Sequence, residues 1–313
     1  MQREADLSEF ITSHYQLDPI LACVQLSKTI HALYQITTRR SRFVLRVSRS
    51  VATAKQDEVR LELLGRLAAA GTPVVPPILR RDGTYSAEIT LDDQPGRAAL
   101  YAFVPGITPG RAITPEQSAA FGAALAQLHQ ATAARADLPA LPHLDLLAGP
   151  AAAIAAAPVF QHHASLERLV DLARQQLGQL PRSSATFGFC HGDAHPSNVI
   201  IDAERATLLD FEWSGQGWRA YDLATCLWSL RGTPAHPQTS AALLRGYQTI
   251  RALDPAEEAA LPLFMGLRHL LMTSKSIAYA QQGMATGYAV TADFITQRLG
   301  QIQQWLDAPG GAR

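Results

Sequence analysis

Apolar and polar positions alternate through Tyr34, Ile36 and Thr38 and again through Phe43, Val44, Leu45, Arg46 and Val47. With Arg39-Arg40-Ser41 between them, the two runs predict a pair of strands joined by a tight turn. The period then changes. Leu61, Leu64 and Leu67 recur at three-residue steps, and Gly71 followed by Thr72-Pro73 supplies a stop, so a helix is predicted to end there. Arg81-Asp82-Gly83-Thr84 and the stretch from Asp92 to Gly96 are turn signals around further strand-like sequence, which runs to Ala98-Ala99-Leu100-Tyr101-Ala102-Phe103. The first third therefore reads as a small sheet with one helix.

Beyond Val104-Pro105-Gly106 the pattern becomes mostly helical, which divides the chain into residues 1–103 and 104–313. Pro115 opens a helix with Phe121, Leu125 and Leu128 on one face, and Ser165 is placed to cap another that carries Leu166, Leu169, Val170 and Leu177. Short strands are predicted at Phe187 to Cys190, at Val199-Ile200-Ile201 and at Thr207-Leu208-Leu209. Helices are predicted from Arg219 to Leu230, Glu257 to Gln281 and Asp293 to Leu306. The fold class is α+β, with a β-rich N-terminal lobe and a larger helical C-terminal lobe.

Charge and cysteine content narrow the classes of function. With 27 basic and 27 acidic residues the formal net charge is zero, which gives no electrostatic case for a nucleic-acid or membrane-surface partner. The three cysteines, Cys23, Cys190 and Cys226, lack paired metal-ligand spacing. No apolar run approaches a membrane span, and the N-terminus does not read as a signal peptide. A cytoplasmic protein with reduced thiols is expected.

The chemistry concentrates in His191-Gly192-Asp193-Ala194-His195-Pro196-Ser197-Asn198 and in Asp210-Phe211-Glu212. The first run supplies a carboxylate that can accept a hydroxyl proton and an amide that can ligate a metal; the second supplies another carboxylate. Phosphoryl transfer from ATP needs that trio. Asp193 is the candidate base or orienting group, and Asn198 and Asp210 are candidate Mg²⁺ ligands, hard oxygen donors that leave room for phosphate and water. Glu212 is left between a second metal and a loop hydrogen bond. His191 and His195 sit four apart, but Pro196 places them on a loop, so helical metal-pair spacing does not apply. His191 is expected to pack the loop, and His195 to be structural or close to substrate.

Together with Trp218-Arg219-Ala220-Tyr221-Asp222-Leu223-Ala224 and the run from Phe121 to His129, these motifs resemble those of the aminoglycoside phosphotransferase and choline kinase group, small-molecule kinases with a protein-kinase-like fold. The resemblance covers most of the chain. It implies a nucleotide-binding lobe, a hinge, a catalytic lobe and the use of ATP and Mg²⁺. It also implies that Asp222 braces the catalytic loop, and that the backbone of Ala102 and Val104, with Phe103 as an apolar wall, receives adenine. The strand position for a phosphate-pairing cation falls on Arg46, and Lys28, on the turn Ser27-Lys28-Thr29-Ile30-His31, competes with it. That turn has no glycine. The helix partner of the cation is expected to be Glu58 or Glu62, which share a face at i, i+4.

Only about a dozen residues separate Asp210 from Asp222, with no element for docking a peptide, so a small-molecule hydroxyl acceptor is expected: an amino alcohol, a hydroxy amino acid or an antibiotic. From Trp218 onward six acids face eight Lys and Arg, which disfavours a polycationic acceptor. Arg219, Arg245 or Arg268 could hold a carboxylate, the competing reading being exposed helix arginines. The alternatives in other classes are a kinase-like binding or regulatory protein with weak catalysis and an atypical Ser/Thr protein kinase. A monomer or homodimer is expected.

Overall fold

The structure is a computed structural model that describes residues 2–28, 31–48, 54–133, 143–160, 163–284 and 288–308. Its N-terminal lobe is built on a five-stranded antiparallel sheet, β1 (Ile20–Lys28), β2 (His31–Thr38), β3 (Arg42–Ser48), β4 (Ser86–Leu91) and β5 (Gln94–Ala102), in the spatial order β1-β2-β3-β5-β4. The predicted turn joins β2 to β3, and the register pairs Tyr34 with Leu45 and Leu45 with Leu100. Alternation then sorts the faces. Tyr34, Ile36, Leu45, Val47, Ala98 and Leu100 are buried together on one side, whereas Arg46 and Tyr101 line a cavity on the other.

One element adds to the expected lobe. A second helix, α1 (Gln2–His14), closes the apolar face of the sheet through Leu7 and Ile11, and Tyr15 follows it into the same core. Leu7, Phe10 and Ile11 form an i, i+3, i+4 stripe that a short polar-rich N-terminus conceals. Helix α2 (Ala54–Ala69) is the predicted one, and Gly71 ends it with φ +80°. Its Leu63, Leu64 and Leu67 join the core of the C-terminal lobe, so α2 ties the two lobes together.

The C-terminal lobe comprises α3 (Pro115–Ala133), α4 (Ala148–Ala155), α5 (His163–Gln179), α6 (Ala220–Leu230), α7 (His236–Gln248), α8 (Pro255–Ala259), α9 (Leu261–Gln281) and α10 (Ala292–Asp307). Two small antiparallel pairs lie among them, β6 (Phe187–Cys190) with β9 (Gly215–Trp218) and β7 (Val199–Asp202) with β8 (Arg205–Leu208). Ser165 lies inside α5 and does not cap it. Helix α7 is an addition, because His236-Pro237-Gln238-Thr239-Ser240 masks the apolar Leu243 and Tyr247 that follow. It packs tightly on α3: a Cβ at Gly122 would strike the Leu243 carbonyl, and one at Gly246 the Ala119 carbonyl. Among the described residues no helix is long and apolar enough to cross a membrane.

The β7–β8 hairpin is stitched to the segments on either side of it. Val75 N donates to Leu208 O and Leu208 N to Pro73 O, while Ile107 and Ile201 exchange both backbone hydrogen bonds. The hairpin is thereby fixed, and Asp210, just beyond β8, meets Arg46 of β3.

Candidate active site

The catalytic-loop sequence and Asp210 meet because of hairpin register. Val199 pairs with Leu208, and Leu209 N donates to Asn198 O at 2.9 Å, so Asn198 and Asp210 emerge from the same end of one two-stranded ribbon. Asn198 Nδ2 donates to Asp193 O at 3.0 Å and to Asp193 Oδ2 at 3.2 Å. Its Oδ1 is then the atom left to ligate a cation. Asp210 has φ +55°, a left-handed conformation that aspartate tolerates better than most residues. Its Oδ1 is buried without a hydrogen-bond partner and lies 3.2 Å from Arg46 Nη2.

The loop itself is held from behind by Asp222. The Asp222 carboxylate accepts from His191 N at 2.7 Å and from Gly192 N at 2.8 Å, and is 2.9 Å from His129 Nε2. His129 is fully buried, and burial, the largest influence, holds it below its ordinary pKa. The neutral ring thus donates through Nε2 and accepts at Nδ1 from the Tyr247 hydroxyl at 2.8 Å. Tyr247 accepts in turn from Arg251, which pairs with Glu257 at 3.0 Å. Gly192 has φ +82°, and a Cβ there would collide with the Trp213 carbonyl, so this loop position requires glycine. His191 packs the loop: Nε2 is 2.7 Å from Leu209 O, Nδ1 accepts from Asp193 N at 3.3 Å, and the ring lies against Phe211.

Asp193 is flanked by Arg268 and His195. Arg268 Nη2 is 2.5 Å from Oδ1, and His195 Nε2 is 3.5 Å from Oδ2. Burial pushes the Asp193 pKa up, but the His195 hydrogen bond and the charge of Arg268 outweigh it and hold the carboxyl well below its usual range. The sequence weighs Arg219 and Arg268 as exposed helix arginines; both are buried. Arg219 donates to the backbone carbonyls of Ser184, Ala185 and Phe187, and Arg245 is the exposed one of the three.

On the opposite wall, Arg46 Nη2 lies 2.9 Å from Glu212 Oε2, and His31 Nε2 lies 2.8 Å from the same oxygen. Burial works against the Arg46 charge, but Asp210, Tyr101 and Glu212 overcome it and raise its pKa. Lys28 closes β1; its side chain, like Thr29 and Ile30, lies outside the described residues. Neither expected helix glutamate reaches Arg46. Glu58 accepts from Tyr85 N, Ser86 N and Ser86 Oγ, and Glu62 pairs with Arg66 on the surface. The α2 residue that turns toward Arg46 is Asp57, which shares a cavity with Arg46, Tyr101 and Glu212 and pairs with Arg60 at 3.0 Å. Burial raises the Asp57 pKa. Sequence spacing misses Asp57, because its face depends on how α2 sits against the sheet. Phe103 N donates to Arg42 O, and the Arg42 guanidinium covers the Phe103 ring; Ala102 N donates to Pro76 O.

The donor set fits Mg²⁺. One carboxylate oxygen, without a hydrogen bond though ion-paired with Arg46, and one amide oxygen, at adjoining ends of a hairpin, leave most of an octahedral shell to phosphate and water. Among the described residues no group of three or more His, Cys, Asp or Glu side chains is arranged to hold a metal, so the set is not a closed protein cage.

Comparisons with known proteins agree with this architecture. An uncharacterized protein of Synechocystis sp. is 32% identical over 265 residues, covering 82% of this chain and 73% of that protein. A homoserine kinase of Rhodospirillum rubrum is 31% identical over 318 residues, 98% of this chain and 88% of the kinase. Among solved structures, an amicoumacin kinase in complex with AMP-PNP and Ca²⁺ superposes with a TM-score of 0.71 at 19% identity, over 99% of this chain and 96% of its own. A microcompartment-associated aminopropanol kinase does so with 0.69 at 19% identity, over 97% and 95%. These two show the fold. The sequence model of the phosphotransferase enzyme family matches residues 23–261, and the chain belongs to that family.

Proposed function

We propose that the protein transfers the γ-phosphoryl group of ATP to a hydroxyl of a small molecule, with Asp193 receiving the acceptor. The observation that carries this reading is the convergence of Asp193, Asn198 and Asp210 at one end of the β7–β8 hairpin, with Asp222 clamping the loop from below. The homoserine, aminopropanol and amicoumacin kinases among its relatives and fold neighbours support a small acceptor.

In this reading Asp193 accepts a hydrogen bond from the acceptor hydroxyl and aims its oxygen at the γ-phosphorus. A new bond forms from that oxygen to phosphorus as the bond to the β,γ-bridging oxygen breaks, the proton passes to the Asp193 carboxylate, and ADP departs. A carboxyl held at so low a pKa is a weak base, so its main contribution is orientation, with proton transfer following bond formation. Mg²⁺ held by Asn198 Oδ1, Asp210 and the phosphates would supply charge neutralisation. Arg46 would exchange Asp210 for phosphate oxygens while keeping Glu212, which His31 holds from the other side, with Asp57 facing the same cavity. The backbone of Ala102 and Val104 and the Phe103 ring would receive the adenine.

Purified protein with [γ-³²P]ATP and Mg²⁺, offered amino alcohols, hydroxy amino acids and antibiotics, is expected to label at least one of them. Labelling that is absent across the panel, or that goes to protein acceptors with Asp193→Asn as active as wild type, would refute the proposal.

A further inference from the structure

Around Arg268, the partner of Asp193, tryptophans and cations gather. Arg268, bound to Asp193, lies 5.4 Å from the Trp213 ring centroid and 5.8 Å from that of Trp228. Lys275, seven residues further along α9 and so on the same helix face, places Nζ 5.0 Å from the same Trp213 ring. Arg231 lies 4.6 Å from the rings of both Trp228 and Trp305. Arg298, on α10, closes the group against His269. Trp213, Trp228 and Trp305 are each half-buried, so their rings are partly open.

Apart from Arg268, which pairs with Asp193, the cations of this wall have no acid partner among the described residues. Asp193 is the carboxylate that Arg268 meets, and among the described residues no carboxylate comes within ion-pair distance of Arg231, Lys275 or Arg298. Arg268 keeps Nε and Nη1 buried without a hydrogen-bond partner. Burial and the neighbouring charges of Arg298 and Arg111 lower the Arg231 pKa to about 10, a sign that the cations repel one another. Half-buried like charges gathered without acids are costly unless an anion joins them. Lys275 differs from its neighbours in being a flexible ammonium on the ring nearest the catalytic loop, and it is one of only three lysines in the chain.

Resting on the phosphotransferase reading above, we infer that the acceptor carries a carboxylate, and that Lys275, beside Trp213 and Arg268, binds it while the hydroxyl lies at Asp193. The acceptor class is then a small hydroxy acid, with or without an amine. A polycationic or purely amino-alcohol acceptor would meet this wall with like charge.

The test uses L-homoserine, 4-hydroxybutyrate and 3-amino-1-propanol as matched probes, with steady-state kinetics at saturating ATP and calorimetric binding in the presence of AMP-PNP and Mg²⁺. Carboxylate-bearing probes are expected to exceed the amino alcohol in kcat/KM by roughly 10–100-fold, the range of one charge-assisted contact. Lys275→Gln should raise KM for the carboxylate probes by a similar factor, leaving kcat and the KM for ATP nearly unchanged, and Lys275→Arg should restore most of it. A role in packing alone would not give that split or that rescue. Equal use of all three probes, or phosphorylation favouring the amino alcohol, overturns the inference and leaves the phosphotransferase reading intact. Carboxylate binding that depends on Lys275 without turnover supports the inference and counts against that reading. Neither binding nor turnover of any carboxylate probe overturns the inference, as does a Lys275→Gln variant that behaves as wild type.

Discussion

Arg268 Nη2 lies 2.5 Å from Asp193 Oδ1, and the guanidinium is almost completely buried. With His195 on the other oxygen, it keeps the carboxyl ionised far below neutral pH. Removing the Arg268 charge while burial remains should raise the Asp193 pKa. For wild type, kcat/KM against pH is expected to show no acid limb from Asp193 between pH 5 and 9. Arg268→Gln should introduce one, with activity falling toward low pH. An Arg268→Gln profile that parallels wild type throughout would sink the assignment of Arg268 as the charge that sets Asp193.

Asp193→Asn should lower kcat by about 10²–10⁴-fold, the range for loss of a positioned acid or base. If Asp193 faces the acceptor as proposed, the KM for ATP should change little. Thermal melting should confirm that the variant folds, and a kcat within a few-fold of wild type would remove Asp193 from the chemistry.

On the nucleotide side, Arg46→Gln should raise the KM for ATP by roughly 10–100-fold, consistent with losing a charge-assisted contact to phosphate. Arg46→Lys should fall between the two, since an ammonium keeps the charge but cannot offer phosphate the paired N–H groups of a guanidinium. Titrating Mg²⁺ in Asp210→Asn should show half-maximal activity at roughly tenfold higher metal or beyond. Excess EDTA should abolish transfer in wild type.

His269 is fully buried, accepts from Trp228 Nε1 at 3.0 Å and lies against Arg298. Burial, Arg298 and Arg231 lower its pKa to about 3. Its folded pKa is below the unfolded value, so the unfolded chain takes up the proton first. The neutral ring's stability is therefore present above about pH 6.5 and is lost as pH falls toward 3. Urea unfolding should show a decline on the order of a few kcal/mol across that window. In His269→Gln that pH slope should be reduced; an unchanged slope would assign it to other groups.

Asp222 accepts two backbone N–H bonds and one from His129, all buried. Asp222→Ala leaves three donors unsatisfied and should cost about 3 kcal/mol or more of stability, measured by denaturant unfolding. Asp222→Asn should cost less but reduce kcat, because an amide cannot accept from all three.

What was legible in the sequence follows a physical rule. Asp193, Asn198 and Asp210 could be read because their geometry is local: a loop, a tight hairpin and its register bring them together without help from distant elements. Asp222 came from its motif, and the structure gives it three bonds to the loop and His129. Elements whose position depends on packing were hidden. Asp57 turns toward Arg46 only through the roll of α2 against the sheet, so spacing drew attention to Glu58 and Glu62 instead. Arg268 reads as an exposed helix arginine until α6 and the catalytic loop cover it, and α1 reads as a polar tail until Leu7 and Ile11 find the sheet.

The line of contacts from Glu257 through Arg251, Tyr247 and His129 to Asp222 means that the catalytic loop has no private scaffold. Its shape is held by the same buried groups that hold α3, α7 and α8 together, so it cannot be relaxed without loosening the whole lobe. A change of acceptor is therefore more easily accommodated outside that line, at positions such as Lys275, whose ammonium rests on the Trp213 ring. Acceptor preference can be altered there without disturbing the buried line that shapes the loop.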